Sequence, residues 1–185
     1  MITGGARSGK STLAESFARE SGMDVFYLAT MHYIPGDMEQ MSRIERHRRR
    51  RPTQWRTVEV KHSMYTDIAG LPSGEAFVLI DCLSLYVSNL LLGPSPEHFD
   101  SAGNPYDMET DIRENIDKVL AAIDSRSDFR FTVVTNEVGW GVVPDTPLGR
   151  SFRDFLGLVN QRFAEQAQTV WLCCSGLRLR LKPQG

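Results

Sequence analysis

The chain has 185 residues, of which 41% are hydrophobic and 24% charged, and its formal net charge is −2. These values indicate one domain, residues 1–185, with a sizeable core, and they exclude the basic excess that drives indiscriminate binding to nucleic acid or anionic lipid. Since neither a signal peptide nor the ~20-residue apolar run of a membrane span is evident, we expect a cytoplasmic protein.

Apolar periodicity predicts strands that alternate with helices along the chain. In chain order the predicted elements are a strand end at Met1–Thr3, a helix after the glycine-rich turn 4–11, a strand at Val25–Ala29, a helix at Met38–Arg50, strands at Trp55–Val60 and Ala76–Ile80, helices at Leu83–Leu92 and from Met108 to Ile123, a strand at Phe131–Thr135, a helix over Phe152–Phe163, and strands at Thr169–Cys174 and Leu177–Lys182. This order predicts an α/β fold, in which a mainly parallel sheet has helices on both faces and ligands bind at the C-terminal ends of the strands.

Three smaller features carry predictions of their own. In Leu177–Lys182, leucines alternate with basic residues, which predicts a strand with one apolar and one wet face. The polar segment Ser95–Pro105 lacks periodicity and is a candidate lid or substrate-facing loop. The cysteines lie in apolar runs without the spacing of a zinc site, so we expect reduced core residues at Cys82, Cys173 and Cys174.

A phosphate-binding motif stands between the first strand and the first helix. The segment Gly4-Gly5-Ala6-Arg7-Ser8-Gly9-Lys10-Ser11 matches GxxxxGK[ST] in full and is called the P-loop below. Glycines let backbone N–H groups turn inward around phosphates, and the helix N-terminus adds partial positive charge. We expect Lys10 to reach the β- and γ-phosphates and the Ser11 hydroxyl to bind Mg²⁺. The motif predicts a site for a purine nucleoside triphosphate.

Asp81 is the candidate for a second magnesium-binding group. It follows the apolar run Phe77–Ile80, and P-loop proteins usually hold the metal through an acid in that position. An acid after a strand is also a common helix cap, but beside a P-loop the metal role is favoured. These two motifs do not distinguish a hydrolase from a kinase.

A histidine precedes a run of arginines at residues 47–51. Such a run is often a solvated helix face or a nucleic-acid patch, although no aromatic residues interleave with these arginines. Alternatively, the guanidinium groups surround a polyphosphate, each holding two oxygens. Nearby cations favour a neutral imidazole at His47, which is a competent nucleophile toward phosphorus. From the residues alone, a surface histidine and a nucleophile both stay open.

Taken in order, the motifs resemble one family, the bifunctional adenosylcobinamide kinase/adenosylcobinamide-phosphate guanylyltransferases of adenosylcobalamin biosynthesis. The resemblance runs from Thr3 to about Lys182. A P-loop alone is shared by thousands of proteins, whereas the whole set in this order is specific. Its carriers are Thr3–Ser11, Ala29-Thr30, Arg43-Ile44 with His47, Arg51-Pro52 with Trp55 and Glu59, Asp81-Cys82-Leu83, Ser88-Asn89-Leu90-Leu91, Thr135–Gly139 with Gly141 and Pro144, Phe152-Arg153-Asp154, Asn160-Gln161 and Ser175-Gly176.

The resemblance implies a P-loop NTPase fold of the RecA-like type and a homotrimer. It also implies two reactions: ATP or GTP phosphorylates adenosylcobinamide, and GMP then passes from GTP to the resulting phosphate through a covalent histidine intermediate. The position that matches the family histidine is His47. The family's nucleotide contacts fall on Gly4 to Ser11, Ala29, Thr30, Met31, Arg48, Arg49, Arg50, Arg51, Glu59 and Asp81.

Glu59 is chemically suited to recognise guanine, because a carboxylate can accept hydrogen bonds from the N1–H and amino group of that base. Two alternatives to the bifunctional enzyme stay open. One is a P-loop small-molecule kinase without guanylyltransferase activity, in which His47 and the arginines only bind phosphate. The other is an ATPase that acts on nucleic acid through the arginine run, which the acidic net charge disfavours.

Overall fold

The computed structural model describes residues 1–31, 38–60, 63–92 and 108–182, apart from the side chains of Glu39, Gln40, Arg43 and Arg46. The candidate loop Ser95–Pro105 lies outside these ranges. The elements are β1 Ile2–Gly4, α1 Lys10–Glu20, β2 Asp24–Ala29, α2 Met38–Arg50, β3 Arg56–Glu59, α3 Met64–Ala69, β4 Ala76–Asp81, α4 Leu83–Leu91, α5 Met108–Asp124, β5 Phe129–Val134, α6 Pro147–Gln166, β6 Val170–Cys174 and β7 Leu177–Lys182.

All of these strands lie in one sheet, in the order β3-β2-β4-β5-β1-β6-β7. Neighbouring strands are parallel except β6 and β7, which are antiparallel. The order places β5 between β1, which leads into the P-loop, and β4, which ends on Asp81. This mainly parallel sheet, with one strand between the P-loop strand and the acid-bearing strand, confirms the predicted α/β P-loop fold of the RecA-like type.

Helices cover both faces of the sheet, as predicted. Successive side chains of a strand point to opposite faces, and in β2 Val25 and Tyr27 join the core cluster under α1, whereas Phe26 and Leu28 join the larger cluster under the other helices. The helices whose apolar residues fill that larger cluster are α3, α4, α5 and α6. Strands β2 and β4 are therefore buried on both sides, which explains their continuous apolar runs.

Three features differ from the sequence-based expectations. Helix α3 was not predicted, because a six-residue helix is too short to show a helical period. In β7 the leucines are exposed along with the basic residues, so the prediction of a buried apolar face is wrong for this edge strand. Cys82 and Cys173 are buried, but Cys174 is exposed, which corrects its assignment to the core.

Within the described ranges, no helix is both long and apolar enough to cross a membrane.

Candidate active site

The P-loop is held in place by contacts that only glycine permits. Gly4 has a φ of 142°, and a Cβ there would lie 2.1 Å from the carbonyl oxygen of Cys173 on the neighbouring strand β6. Gly9 has a φ of 100° and forms the N-cap of α1. The turn between β6 and β7 braces the loop from outside, because the N–H of Gly176 donates to the carbonyl of Ser8 at 3.1 Å. The loop conformation therefore depends on both ends of the chain.

Lys10 lies inside this loop. Its Nζ donates to the carbonyl oxygen of Gly5 at 2.6 Å. Burial lowers the pKa of Lys10, whereas Cys82 and the carboxylate of Asp81 act in the opposite direction. The lysine is thus near the acid at the end of β4. Among the other P-loop residues, Gly4 and Ser8 are buried, and Gly9 and Ser11 are half-buried. The remaining three, Gly5, Ala6 and Arg7, are exposed.

Asp81 is the last residue of β4 and is half-buried. Because side chains alternate along a strand, it lies on the same face as Leu79, which packs under α1. The phenolic O–H of Tyr27 donates to Asp81 Oδ2 at 2.8 Å. Burial raises the pKa of Tyr27, and the negative charge of Asp81 raises it further. The carboxylate is thus oriented by a neutral phenol from the adjacent strand.

Glu59, Ala29 and Asp81 form one row across the sheet. Ala29 of β2 pairs with Glu59 of β3 on one side and with Asp81 of β4 on the other. Paired residues of neighbouring strands point to the same face, so the exposed carboxylate of Glu59 shares the α1 face with Asp81. Strands are spaced by about 4.8 Å, which puts these two residues about 10 Å apart along the row.

The residues that follow β2 join it to the start of α4. The hydroxyl of Thr30 is fully buried, donates to the carbonyl of Cys82 at 2.8 Å and accepts from the N–H of Cys82 at 2.8 Å. Asn89 Nδ2 donates to the carbonyl of Thr30 at 2.7 Å. The side chain of Thr30 therefore ties the ends of β2 and β4 together, and half-buried Met31 follows it.

The C-terminal end of α2 reaches the same face through Arg51. The Nε of Arg51 donates to the carbonyl of His47 at 3.1 Å, and a terminal nitrogen donates to the hydroxyl of Thr57 at 3.2 Å. Its guanidinium lies 3.8 Å from the ring centre of Tyr27, at cation–π distance. Arg51 therefore connects the histidine helix to the tyrosine that holds Asp81.

Arg50 connects α2 to the P-loop helix α1. It donates to the hydroxyl of Thr12 at 2.6 Å, and its guanidinium lies 3.7 Å from the carboxylate of Glu15. Glu15 is only 1% exposed and also pairs with Arg19 at 3.3 Å. Among the described residues, its Oε1 has no hydrogen-bond partner. His47 is half-buried and lies on the same helical face as Arg50 and Arg51, at i+3 and i+4.

The structure divides the arginine run into two pairs. Arg48, Arg49 and Arg50 are all exposed, but Arg50, like half-buried Arg51, bonds to another element of the fold. Arg49 pairs with Glu45 one helical turn earlier. The P-loop, Asp81, Glu59 and the face of α2 that carries His47 thus lie together at the C-terminal ends of the parallel strands. Arg48 and Arg49 are exposed to solvent.

A comparison with known proteins agrees with this arrangement. Residues 1–181 match the model of the CobU family, described as cobinamide kinase / cobinamide phosphate guanyltransferase. The chain belongs to this family. Two members, the bifunctional adenosylcobalamin biosynthesis proteins CobU of Salmonella typhimurium and Escherichia coli, are each 39% identical to it, and each match covers 98% of both chains. CobP of Pseudomonas aeruginosa, named in the same way, is 38% identical over 98% of this chain and 96% of its own.

A solved structure from Pyrococcus horikoshii OT3 shares the fold of this CobU family member. It has a TM-score of 0.54 and 9% sequence identity, and the match covers 100% of this chain and 85% of the other. At this identity the likeness concerns the fold alone.

Sequence reasoning did not identify Tyr27 and Glu15 as contacts of the predicted site residues Asp81 and Arg50. Tyr27 lies in an otherwise apolar strand, and its hydroxyl was the only sign of a polar role. Glu15 lies among the apolar positions of α1, and nothing in the local sequence indicates that Arg50 approaches it from another helix.

Proposed function

We propose that this chain phosphorylates adenosylcobinamide with ATP or GTP and then transfers GMP from GTP to adenosylcobinamide phosphate, giving adenosylcobinamide-GDP and pyrophosphate. The family match over residues 1–181 is the observation that carries the proposal. The contacts at the C-terminal ends of the strands support it. Tyr27 and Arg51 connect Asp81 to the His47 face of α2, and Arg50 connects that face to the helix that follows the P-loop.

In the kinase step, the aminopropanol hydroxyl oxygen of the acceptor attacks the γ-phosphorus. The bond from that phosphorus to the β,γ-bridging oxygen breaks, the nucleoside diphosphate leaves with the electron pair, and the hydroxyl proton is lost. The backbone N–H groups of the P-loop and Lys10 are placed to neutralise the charge on the β- and γ-oxygens. Positioning and charge neutralisation are the contributions of the chain.

In the guanylyl step, an imidazole nitrogen of His47 attacks the α-phosphorus of GTP. An N–P bond forms, the α–β bridging P–O bond breaks, and pyrophosphate leaves with the electron pair. A phosphate oxygen of adenosylcobinamide phosphate then attacks the same phosphorus, and the N–P electron pair returns to the imidazole. Arg50 and Arg51 would bind the oxygens of the triphosphate, and their position on the His47 face of α2 supports this role.

The proposal includes Mg²⁺, held by Ser11 and Asp81. Both supply the hard oxygen atoms that Mg²⁺ prefers, and a magnesium site with substrate phosphates needs only one or two protein ligands. The Tyr27 hydrogen bond fits this role, because it fixes the orientation of the Asp81 carboxylate beside Lys10. When bound, the ion neutralises phosphate charge.

Glu59 is proposed to select guanine. It lies in the same row of the sheet as Asp81. Strands β2, β4 and β5 separate β3 from the P-loop strand β1, so Glu59 is about 19 Å from β1. An extended nucleotide with its phosphates at the P-loop would place its base toward this end of the row. A carboxylate there accepts from the N1–H and amino group of guanine, whereas adenine offers no such pair of donors.

Location and oligomeric state complete the proposal. The proposal places the enzyme in the cytoplasm, as the sequence predicts, and makes it a homotrimer, as the family resemblance implies. Light scattering of the purified chain tests the trimer, and a mass of one or two chains would contradict it.

Labelling with GTP tests the central claim. Incubation with Mg²⁺ and α-labelled GTP should leave a GMP adduct on the protein that is acid-labile and alkali-stable, absent in His47→Ala and present in the control His62→Ala. Wild-type protein without an adduct would refute the guanylyltransferase half. Cobinamide phosphorylation without any GMP product, unaffected by His47→Ala, would favour the kinase-only alternative.

A further inference from the structure

The segment that joins β5 to α6 exposes a group of large apolar side chains. Val138 packs against the core, but the segment then turns its apolar residues outward. Isolated exposed apolar residues are common on protein surfaces, whereas several of them in one short segment of the chain indicate a site of contact. The exposed fractions are 76% for Trp140, 94% for Val142, 55% for Val143 and 48% for Leu148.

The first end of this segment is anchored beside the P-loop. The N–H of Glu137 donates to the carbonyl of Gly4, the first P-loop glycine, at 3.0 Å. The N–H of Asn136 donates to the hydroxyl of Ser84 at 2.8 Å, and the carbonyl of Asn136 accepts from Asn160 Nδ2 at 3.0 Å. The segment therefore starts from a fixed position at the phosphate site.

The second end is anchored to the first turn of α6. The hydroxyl of Thr146 accepts from the N–H of Gly149 at 3.1 Å and caps that helix. Arg150 donates to the carbonyls of Pro144 and Asp145 at 3.0 and 2.9 Å. Hydrogen bonds therefore fix both ends of the segment, and the apolar residues between them are exposed to solvent.

The distance to the phosphate site is short. Trp140 follows Glu137 by three residues, so their Cα atoms are at most about 11 Å apart. An acceptor whose hydroxyl reaches the γ-phosphorus must place the rest of its body on the surface around the P-loop. A small polar acceptor would not need an apolar surface there, but a corrin is a broad macrocycle whose periphery carries methyl groups beside its amide side chains. Tryptophan offers a flat apolar face of large area.

We infer that Trp140, Val142 and Val143 form the surface that binds the corrin ring of the cobinamide acceptor. This inference rests on the proposed function and adds the place where the acceptor lies. The competing occupant of the surface is a second copy of this chain, and the test separates the two.

Steady-state kinetics with adenosylcobinamide tests the inference in Trp140→Ala and Val142→Ser. Leu181→Ala is the matched control, because Leu181 is 53% exposed, close to the 55% of Val143, but lies at the end of β7 remote from the turn that braces the P-loop. We expect Trp140→Ala to raise the KM for adenosylcobinamide about tenfold, as for loss of a central aromatic contact, with a smaller rise for Val142→Ser. Labelling with GTP alone should be unchanged, because it uses no corrinoid.

Several results would overturn the inference. An unchanged KM in both variants, or an equal rise in Leu181→Ala, would show that the acceptor does not use this surface. A change in the molar mass of Trp140→Ala, measured by light scattering, would assign the surface to a contact between copies. Wild-type protein that labels with GTP and phosphorylates adenosylcobinamide leaves the proposed function standing in either case, whereas wild-type protein that does neither removes both.

Discussion

The phenolic hydroxyl of Tyr27 donates to the carboxylate of Asp81 at 2.8 Å, across adjacent parallel strands. The guanidinium of Arg51 lies over the same tyrosine ring at 3.8 Å. One buried aromatic side chain therefore connects the end of the histidine helix to the acid at the end of β4. The acid is held by a residue outside both sequence motifs.

Replacement of Tyr27 by phenylalanine should destabilise the protein. The ring and its packing remain, but the half-buried Asp81 carboxylate loses a hydrogen bond, and such bonds to charged groups contribute about 1.5–3 kcal/mol. We expect a loss of about 2 kcal/mol in the free energy of unfolding, measured by urea denaturation at neutral pH. Tyr65→Phe, at a half-buried tyrosine of α3, is the control. Equal stability of Tyr27→Phe and wild type would contradict the expected role of the hydroxyl.

The two glycines that open the P-loop should respond differently to alanine. A Cβ at Gly4 would lie 2.1 Å from the Cys173 carbonyl oxygen, and φ there is 142°, whereas a Cβ at Gly5 meets no atom within 4 Å. We expect Gly4→Ala to cost about 3 kcal/mol or more, because a strand must move, and Gly5→Ala less than about 1 kcal/mol. Thermal unfolding of the two variants makes the comparison. A Gly4→Ala protein as stable as Gly5→Ala would show that β6 is free to move away.

Two adjacent arginines of α2 provide a test of the link between helices. Arg50 binds Thr12 and the buried Glu15, whereas Arg49 pairs with Glu45 on the surface. We expect Arg50→Ala to lower the free energy of unfolding by about 1–2 kcal/mol, and Arg49→Ala by less than about 0.5 kcal/mol. Hydrogen exchange at the last turn of α2 should increase in Arg50→Ala only. Equal exchange in both variants would show that other contacts hold α2.

Arg126 and Asp128 give the fold a defined acid sensitivity. The hydrogen bond from Arg126 lowers the pKa of Asp128 from its ordinary value of 3.8 to about 2. A carboxyl whose folded pKa is depressed contributes stability above its unfolded pKa, and this contribution is lost as the pH falls from about 4 to about 2. Asp128→Asn should therefore flatten the dependence of the melting temperature on pH in that window.

The control for this acid test is Asp124→Asn, which alters an exposed carboxylate at the end of α5. Parallel pH profiles for wild type and Asp128→Asn would mean that the ion pair contributes nothing to stability. The contacts of Arg126 argue against that outcome, because the same guanidinium also donates to the carbonyls of Ile68, Leu71 and Pro72.

Local sequence predicted the elements that carry the site. Val25–Ala29 and Ala76–Ile80 are continuous apolar runs, and both are buried parallel strands of the sheet. The helix Met38–Arg50 was predicted with the bounds that the structure has, since Pro52 limits it. The P-loop was recognised by residue type and spacing, because its glycines and lysine act within one short stretch of chain.

Contacts between distant segments were not predictable in the same way. Leucines that alternate with basic residues predicted a buried face for β7, but the strand lies at the edge of the sheet, where its leucines are exposed. Alternation defines two faces of a strand and does not specify whether anything covers them. Helix α3 was missed because it is short and its apolar residues, among them Met64 and Ile68, pack against a distant element, α5.

By itself the sequence determined that this chain has a P-loop, an acid at the end of a buried strand and a histidine beside arginines, since each depends on residues close together in the chain. Only the tertiary structure decided that β5 separates β1 from β4, that Tyr27 holds Asp81 and that Arg50 rather than Arg49 meets Glu15. The physical reason is that strand order and helix docking follow from the burial of apolar surface over the whole chain. That burial sets which distant side chains meet, and a local pattern of residues carries no information about it.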